Sequence, residues 1–188
     1  MANFMYPFPD KMLTGHFGKI RVINGKKTQP HRGTDWGVKL GTPIPAVSNG
    51  TVQLVQYSKI LGWVLVQSVM GADKKVMYVG YCHMDTEPSL KVGDKLKMGQ
   101  TIGKIGNEGM SSGPHLHATL SPTVKGVFQG TVLDLYKYLS EQIKNAPTVN
   151  VAAQKSVKST KIETKTETTP KVTVKTVYAC PHCKKELK

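Results

Sequence analysis

The chain has 188 residues, 39% hydrophobic and 20% charged, which is enough to bury the core of one domain and leave appendages over. Its formal charge of +14 concentrates polyanions near the surface, but no arginine-rich run or interleaved aromatic stripe accompanies that charge, and a nucleic-acid partner is excluded on those grounds. No stretch approaches 18 consecutive apolar residues, which excludes a helical membrane span, and three cysteines are too few for a disulfide framework.

The first ten residues, Met1 to Asp10, show no basic segment leading into an apolar run, so no export leader is expected. Thr14-Gly-His-Phe-Gly18 reads as a turn; nothing ties His16 to a metal, and its side chain is expected at the surface. In His31-Arg-Gly-Thr-Asp35, four residues of straight strand would span about 13 Å, too far for two side chains to share one ion. The segment must therefore bend if both hold a metal, with Gly33 supplying the permissive backbone and Trp36-Gly37 re-entering the core. Strands are predicted at Thr51–Tyr57 by alternation, at Gly62–Gln67 by an apolar run and at Lys75–His83 by β-branched and aromatic content. Asn49-Gly50, Gly71-Ala-Asp73 and Gly93-Asp94 are the turn signals that bound them. Alternation in the third strand puts Tyr81 on the face of His83 and turns Cys82 the other way, into the core. From Lys91 to Gly106 the glycines recur as closely as the corners of a small barrel or sandwich require. His115-Leu-His117, between Gly113-Pro114 and Ala118-Thr-Leu120, opens a strand, so both imidazoles share a face with backbone positions about 6.6 Å apart. A helix is predicted over 131–145, where Leu135, Tyr136, Leu139 and Ile143 lie at helical spacing, and it should pack on the sheet as a terminal cover.

Each histidine motif is a weak signal alone. Together they offer two imidazoles and one carboxylate, a three-ligand nitrogen-and-oxygen set that leaves a fourth zinc position open to water. Zinc in such a site lowers the pKa of its water and polarises a bound carbonyl, which makes amide hydrolysis feasible at neutral pH. One ring of the His115/His117 pair can bind the metal while the other reaches the water, and His115 and His83 are available to carry protons and to stabilise an oxyanion.

Taken together these residues closely resemble the lysostaphin-type, or LytM-type, zinc metallopeptidases of bacterial wall hydrolases and phage lysins. The likeness runs from about Thr14 to Leu139. It includes the Gly-His-Phe-Gly opening, His31-x-x-x-Asp35, Thr42-Pro-Ile-Pro-Ala-Val-Ser-Asn-Gly-Thr51, Tyr81-Cys-His-Met84, the Lys91–Gly106 run and Ser112-Gly-Pro-His-Leu-His117. The resemblance implies Zn2+ held by His31, Asp35 and His117, with His115 as general base and His83 stabilising the transition state. It also implies a mainly β fold: a small antiparallel sheet or sandwich of the duplicated hybrid-motif type with an open groove, closed by one C-terminal helix. The implied substrates are stem or cross-bridge peptides of peptidoglycan. Two departures are visible, Cys82 in place of a small alanine and Ala118-Thr-Leu120 in place of Phe-Glu-Val, and neither touches a chemical role. With no leader, such an enzyme is expected to reach the wall as a phage lysin freed through a holin, or on a virion. Two other readings stand beside this one. One is a catalytically silent wall-binding or virion structural member of the same family; the other is a hybrid-motif carrier, drawn from Val92–Gly106, which would need no His-x-x-x-Asp. The loops near 19–30 and 57–62, expected to choose the bond that is cut, carry no readable code.

Composition changes after Pro147. Residues 146–188 hold nine lysines against three glutamates, a net +6, which leaves +8 of the +14 on residues 1–145. The expected division is a metallopeptidase domain at 1–147, a solvated Lys/Thr-rich linker at 148–176 and a short tail at 177–188. In the tail, Cys180-Pro-His-Cys183 supplies at most three ligands, so a closed zinc site there needs another contributor, such as a second chain in a tail-mediated dimer; a local disulfide and free thiols stay open. The positive linker would let the tail reach anionic wall polymers.

Overall fold

Alternating and apolar runs become strands, and the glycine-bounded breaks between them become turns. The computed structural model describes residues 4–23 and 25–145. After a short 3-10 turn at Asp10–Met12, the strands are β1 (Leu13–Gly15), β2 (Val22–Ile23), β3 (Lys26–Lys27), β4 (Thr34–Trp36), β5 (Pro43–Pro45) and β6 (Gly50–Ser58). They continue with β7 (Gly62–Met70), β8 (Val76–Met84), β9 (Lys95–Leu96), β10 (Thr101–Lys104) and β11 (Leu116–Ser121), before helix α1 (Leu135–Lys144). The mainly β expectation holds, and the three strands predicted in the middle of the chain are β6, β7 and β8, nine residues each. The linker at 148–176 and the tail at 177–188, with Cys180 and Cys183, lie outside the described residues.

Seven strands form one antiparallel sheet in the order β1-β4-β11-β8-β7-β6-β9, while β10 pairs with β5 and β2 with β3. The sheet is covered on both faces. On one face Val52, Leu65, Val79, Tyr81, Leu116 and Leu120 join Leu135 and Leu139 of α1 in the main core. On the other, Val64, Val66, Cys82 and Val127 form a smaller cluster. Full burial of each such aliphatic side chain contributes about 1.5–3 kcal/mol, which is why the nine-residue strands hold the register of the sheet.

α1 covers the core as expected but begins at Leu135, not at 131. The Leu133 amide donates to the Leu120 carbonyl at 2.8 Å, so the chain before the helix runs extended beside β11. Asp134 then caps the helix, its side chain accepting from the Lys137 amide at 3.0 Å, an interaction of about 1 kcal/mol. The Lys91–Gly106 run does turn corners on its glycines, with Gly93 and Gly99 at positive φ.

Beneath β7 and β8 lies a closed polar chain. The Tyr81 hydroxyl donates to Gln67 Oε1 at 2.6 Å and accepts from the Val47 amide at 3.0 Å, and Gln67 Nε2 donates to the Ser48 carbonyl at 2.6 Å. Burial pushes the Tyr81 phenol well above its ordinary range, so it remains a donor. Tyr81→Phe strands a buried amide and a buried carbonyl oxygen together and is expected to cost about 2–4 kcal/mol, read as a lower urea midpoint with unchanged slope.

Candidate metal centre and groove

The site is assembled on the face of the sheet opposite the main core. Register places His117 of β11 beside Asp35 of β4 on one side and Cys82 of β8 on the other. Leu116 and Ala118 point into the main core, so His117 between them projects outward. His31 reaches the same place because the chain bends at Gly33, as the length of an extended segment required. The bend, however, does not use the left-handed backbone that glycine permits, since Gly33 is absent from the positive-φ residues. What the position demands is space: a Cβ there would stand 2.6 Å from His117 Cε1 and 2.7 Å from the Ala118 carbonyl oxygen. Gly33→Ala is expected to push His117 off the centre, weakening metal binding in a zinc titration and lowering stability by about 1–3 kcal/mol.

His83 arrives by a departure from alternation. Tyr81 faces the main core, but His83 does not share that face; its ring centroid lies 4.8 Å from that of His115 and 5.8 Å from that of His117. The cause is a bulge. Trp63 pairs with Met84 and Leu65 with Tyr81, so Cys82 and His83 together oppose Val64, and His83 takes φ of 60°. Cys82 is fully buried and free, as expected, and burial with the nearby Asp35 charge pushes its thiol well above the usual range, which keeps it inert.

Three donor atoms converge. Asp35 Oδ1 lies 3.1 Å from His31 Nε2 and 2.8 Å from His117 Nδ1, and the two nitrogens are 3.2 Å apart. The edge of a tetrahedron with zinc–ligand bonds near 2.0–2.1 Å is about 3.3 Å, so the triangle matches one face of a zinc site, slightly contracted. Two imidazoles and a carboxylate are also the donor types that zinc takes in centres with an open position. Burial opposes the Asp35 charge, but hydrogen bonds from His117 and His31 outweigh it and hold the carboxyl far below the usual carboxylate range, so it stays ionised. Burial likewise opposes protonation of His31, yet Asp35 and the His16 carbonyl raise its pKa overall.

Main-chain carbonyls fix the other rings. His31 Nδ1–H donates to the His16 carbonyl at 3.0 Å, His83 Nδ1–H to that of Glu108 at 2.6 Å and His115 Nδ1–H to that of Gly113 at 2.8 Å. His83 and His115 therefore carry a proton on Nδ1 and present Nε2 as a lone pair, while His31, with Nδ1 held by a carbonyl, turns Nε2 to Asp35 and would free it for a metal by giving up the proton shared there. His115 Nε2 lies 3.9 Å from Asp35 Oδ1, near the centre without belonging to the ligand triangle. Burial first, then the neighbouring imidazoles, pull the His83 pKa down to about 4 against the pull of the Glu108 carbonyl, so the ring is neutral.

All five residues open onto a groove of about 800 Å³. One wall is built by Lys19, Arg21 and 28–32, the other by Ile60, Leu61 and 110–114, with the Met110 amide bonded to the Ile60 carbonyl at 2.8 Å.

The profile of peptidase family M23 matches residues 29–134. The chain belongs to peptidase family M23. Among M23 relatives, it is 36% identical over 113 residues to peptidoglycan DD-endopeptidase ShyC of Vibrio cholerae, covering 59% of this chain and 25% of that protein. The fold matches the catalytic domain of lysostaphin from Staphylococcus simulans with a TM-score of 0.55 at 28% identity, covering 68% of this chain and 91% of that one. It also matches a zinc-containing peptidase from Vibrio cholerae, again at 0.55, with 29% identity over 64% of this chain and 37% of the other. The chain spans about a quarter of the length of the first curated M23 relatives it matches. Membership of M23 also sets aside the carrier reading of the Val92–Gly106 run.

Several residues of this M23 site had no sequence signal. Arg21 Nη2 donates to Asp35 Oδ2 at 3.2 Å, from a loop that offers no pattern. Ser111 Oγ donates to the Gly113 carbonyl at 3.0 Å and lies 3.2 Å from His115 Nδ1, bracing the turn that orients that ring. His16 is exposed as expected, but its carbonyl, not its ring, is what orients His31.

Proposed function

We propose that this chain is a zinc metalloendopeptidase that hydrolyses peptide bonds in bacterial peptidoglycan. The observation that carries the reading is the convergence of His31 Nε2, Asp35 Oδ1 and His117 Nδ1 beside two further imidazoles in an open groove. Its substrate class is supported by the relatives, named as a peptidoglycan endopeptidase and as lysostaphin. His31, Asp35 and His117 would hold Zn2+, which when bound supplies carbonyl polarisation and a water of lowered pKa.

The remaining steps belong to the chain's own groups. His115, with its proton fixed on Nδ1 by Gly113, presents Nε2 as the base that takes a proton from the attacking water and later passes it to the leaving amine. His83 acts from beside it, with its ring centroid 4.8 Å from that of His115. Because its Nδ1–H is committed to Glu108 and its ring is neutral, its Nε2 stabilises the transition state by accepting a hydrogen bond from the remaining O–H of that water.

The finer setting belongs to the same proposal. Residues 1–147 form the catalytic domain, 148–176 a linker and 177–188 a tail whose Cys180 and Cys183 bind metal or pair two chains, with the basic linker drawn to anionic wall polymers. A phage lysin or virion-borne wall hydrolase is the context we assign, supported by the fold's likeness to the catalytic domain of a prophage-encoded M23 protein from Enterococcus faecalis. Among the described residues no helix is long and apolar enough to cross a membrane.

Incubation of the full chain with purified peptidoglycan tests the enzymatic reading. New amino termini are expected, with release stopped by a chelator and restored by zinc. Wall binding without any new amino terminus would instead support the silent family member.

A further inference from the structure

The two walls of the groove differ in charge. Lys19, Arg21 and Arg32 line one of them, and between Asp10 and Asp35 the sequence holds no acidic residue. Among the described residues lining the groove, Asp35 is the sole acid, and it belongs to the metal centre. The three cations are not equivalent. Arg32 is a strut, donating to the Gly130 carbonyl at 3.0 Å and the Gly126 carbonyl at 3.3 Å. Arg21 gives one hydrogen bond, Nη2 to Asp35 Oδ2, and its side chain remains 48% exposed.

The backbone fixes where these groups emerge. The Arg21 amide donates to Thr28 Oγ1 at 3.0 Å and the Thr28 amide to the Arg21 carbonyl at 2.8 Å, closing the base of the β2–β3 hairpin. The Lys19 carbonyl accepts from the His31 amide at 3.0 Å, which ties this strand of the wall to a metal ligand.

We propose that Arg21, with Lys19 beside it, is a receptor for a substrate carboxylate, so that the groove selects peptides carrying free carboxylates next to the scissile bond over uncharged ones such as a glycine bridge. The inference rests on the peptidase reading above and names the substrate class of the same site. A guanidinium has five donors in a planar fork, and one bond to Asp35 leaves others to meet a carboxylate. An uncharged bridge offers that wall nothing to pair with. Since Nη2 stands one hydrogen bond from a metal ligand and a peptide advances at most about 3.3–3.6 Å per residue, a carboxylate held by Arg21 lies within a residue or two of the bond being cut.

One batch of purified peptidoglycan, divided in two, provides the probe. One half is left untreated and the other has its carboxylates converted to carboxamides with carbodiimide and ammonia. The full chain is expected to release amino termini from the untreated half roughly tenfold faster or more, the scale of a charge-assisted hydrogen bond, with the ratio shrinking as salt is raised. Arg21→Gln and Lys19→Gln should each bring the ratio toward one, while K137Q/K144Q, on α1 away from the groove, should leave it high. Zinc content, measured on every variant, separates lost recognition from lost metal. Equal rates on the two halves, a ratio unchanged in both Arg21→Gln and Lys19→Gln, or an equal fall in K137Q/K144Q would overturn the carboxylate receptor. Release from neither half overturns the peptidase reading itself, and this inference with it.

Discussion

If the proposed function holds, His115→Ala is expected to retain zinc and to lose the proposed wall-cleaving activity by roughly 10²–10⁴-fold, the usual contribution of a positioned general base. The expectation follows from where the two histidines of the pair stand. His117 Nδ1 is 2.8 Å from Asp35 Oδ1 and within the ligand triangle, whereas His115 Nε2 is 3.9 Å away, with its other nitrogen committed to the Gly113 carbonyl. The alanine variant removes a proton acceptor and leaves the three donor atoms in place. Zinc analysis beside the rate of amino-terminus release checks both halves of the statement; loss of the metal along with the activity would sink the proposed division of labour.

Asp35→Asn should do the reverse, abolishing activity because the metal is lost. The substitution is nearly isosteric at a buried position, so the fold is expected to persist, as circular dichroism would show. What disappears is the negative charge to which His31 and His117 both point. Changes one shell further out already cost 10–100-fold in metal affinity, and replacing a ligand carboxylate by an amide is expected to cost on the order of 10²-fold or more. Activity should return in part at high zinc. An Asn variant that binds zinc as tightly as the parent would show that this carboxylate is not a ligand.

Strands β6, β7 and β8, and the five side chains that the structure brings to one groove, were legible because their signals are local. Alternation in Thr51–Tyr57, the apolar run from Gly62 and the paired His115 and His117 each carry their meaning within a few residues. The bend between His31 and Asp35 was legible too, because an extended segment is too long for one ion. The reason for glycine there was not: the space beside the His117 ring is set by β11, 84 residues from Gly33 in sequence terms, and no local pattern reports it. His83 misled strict alternation since a bulge depends on which residues of β7 it opposes. The helix start moved because Leu133 pairs with Leu120, again a long-range contact. Arg21, Ser111 and the carbonyls of His16 and Glu108 had no signature at all, being loop side chains or backbone atoms brought to the site by the fold.

The central claim is that His31, Asp35 and His117 hold one zinc on which peptide hydrolysis depends. Zinc K-edge absorption spectroscopy of the purified full chain tests it most directly. The account predicts one zinc per chain in a shell of nitrogen and oxygen at about 2.0–2.1 Å with imidazole scattering, lost in His117→Ala. A shell of sulfur at about 2.3 Å that survives His117→Ala would place the metal on the cysteines of the tail and contradict the account.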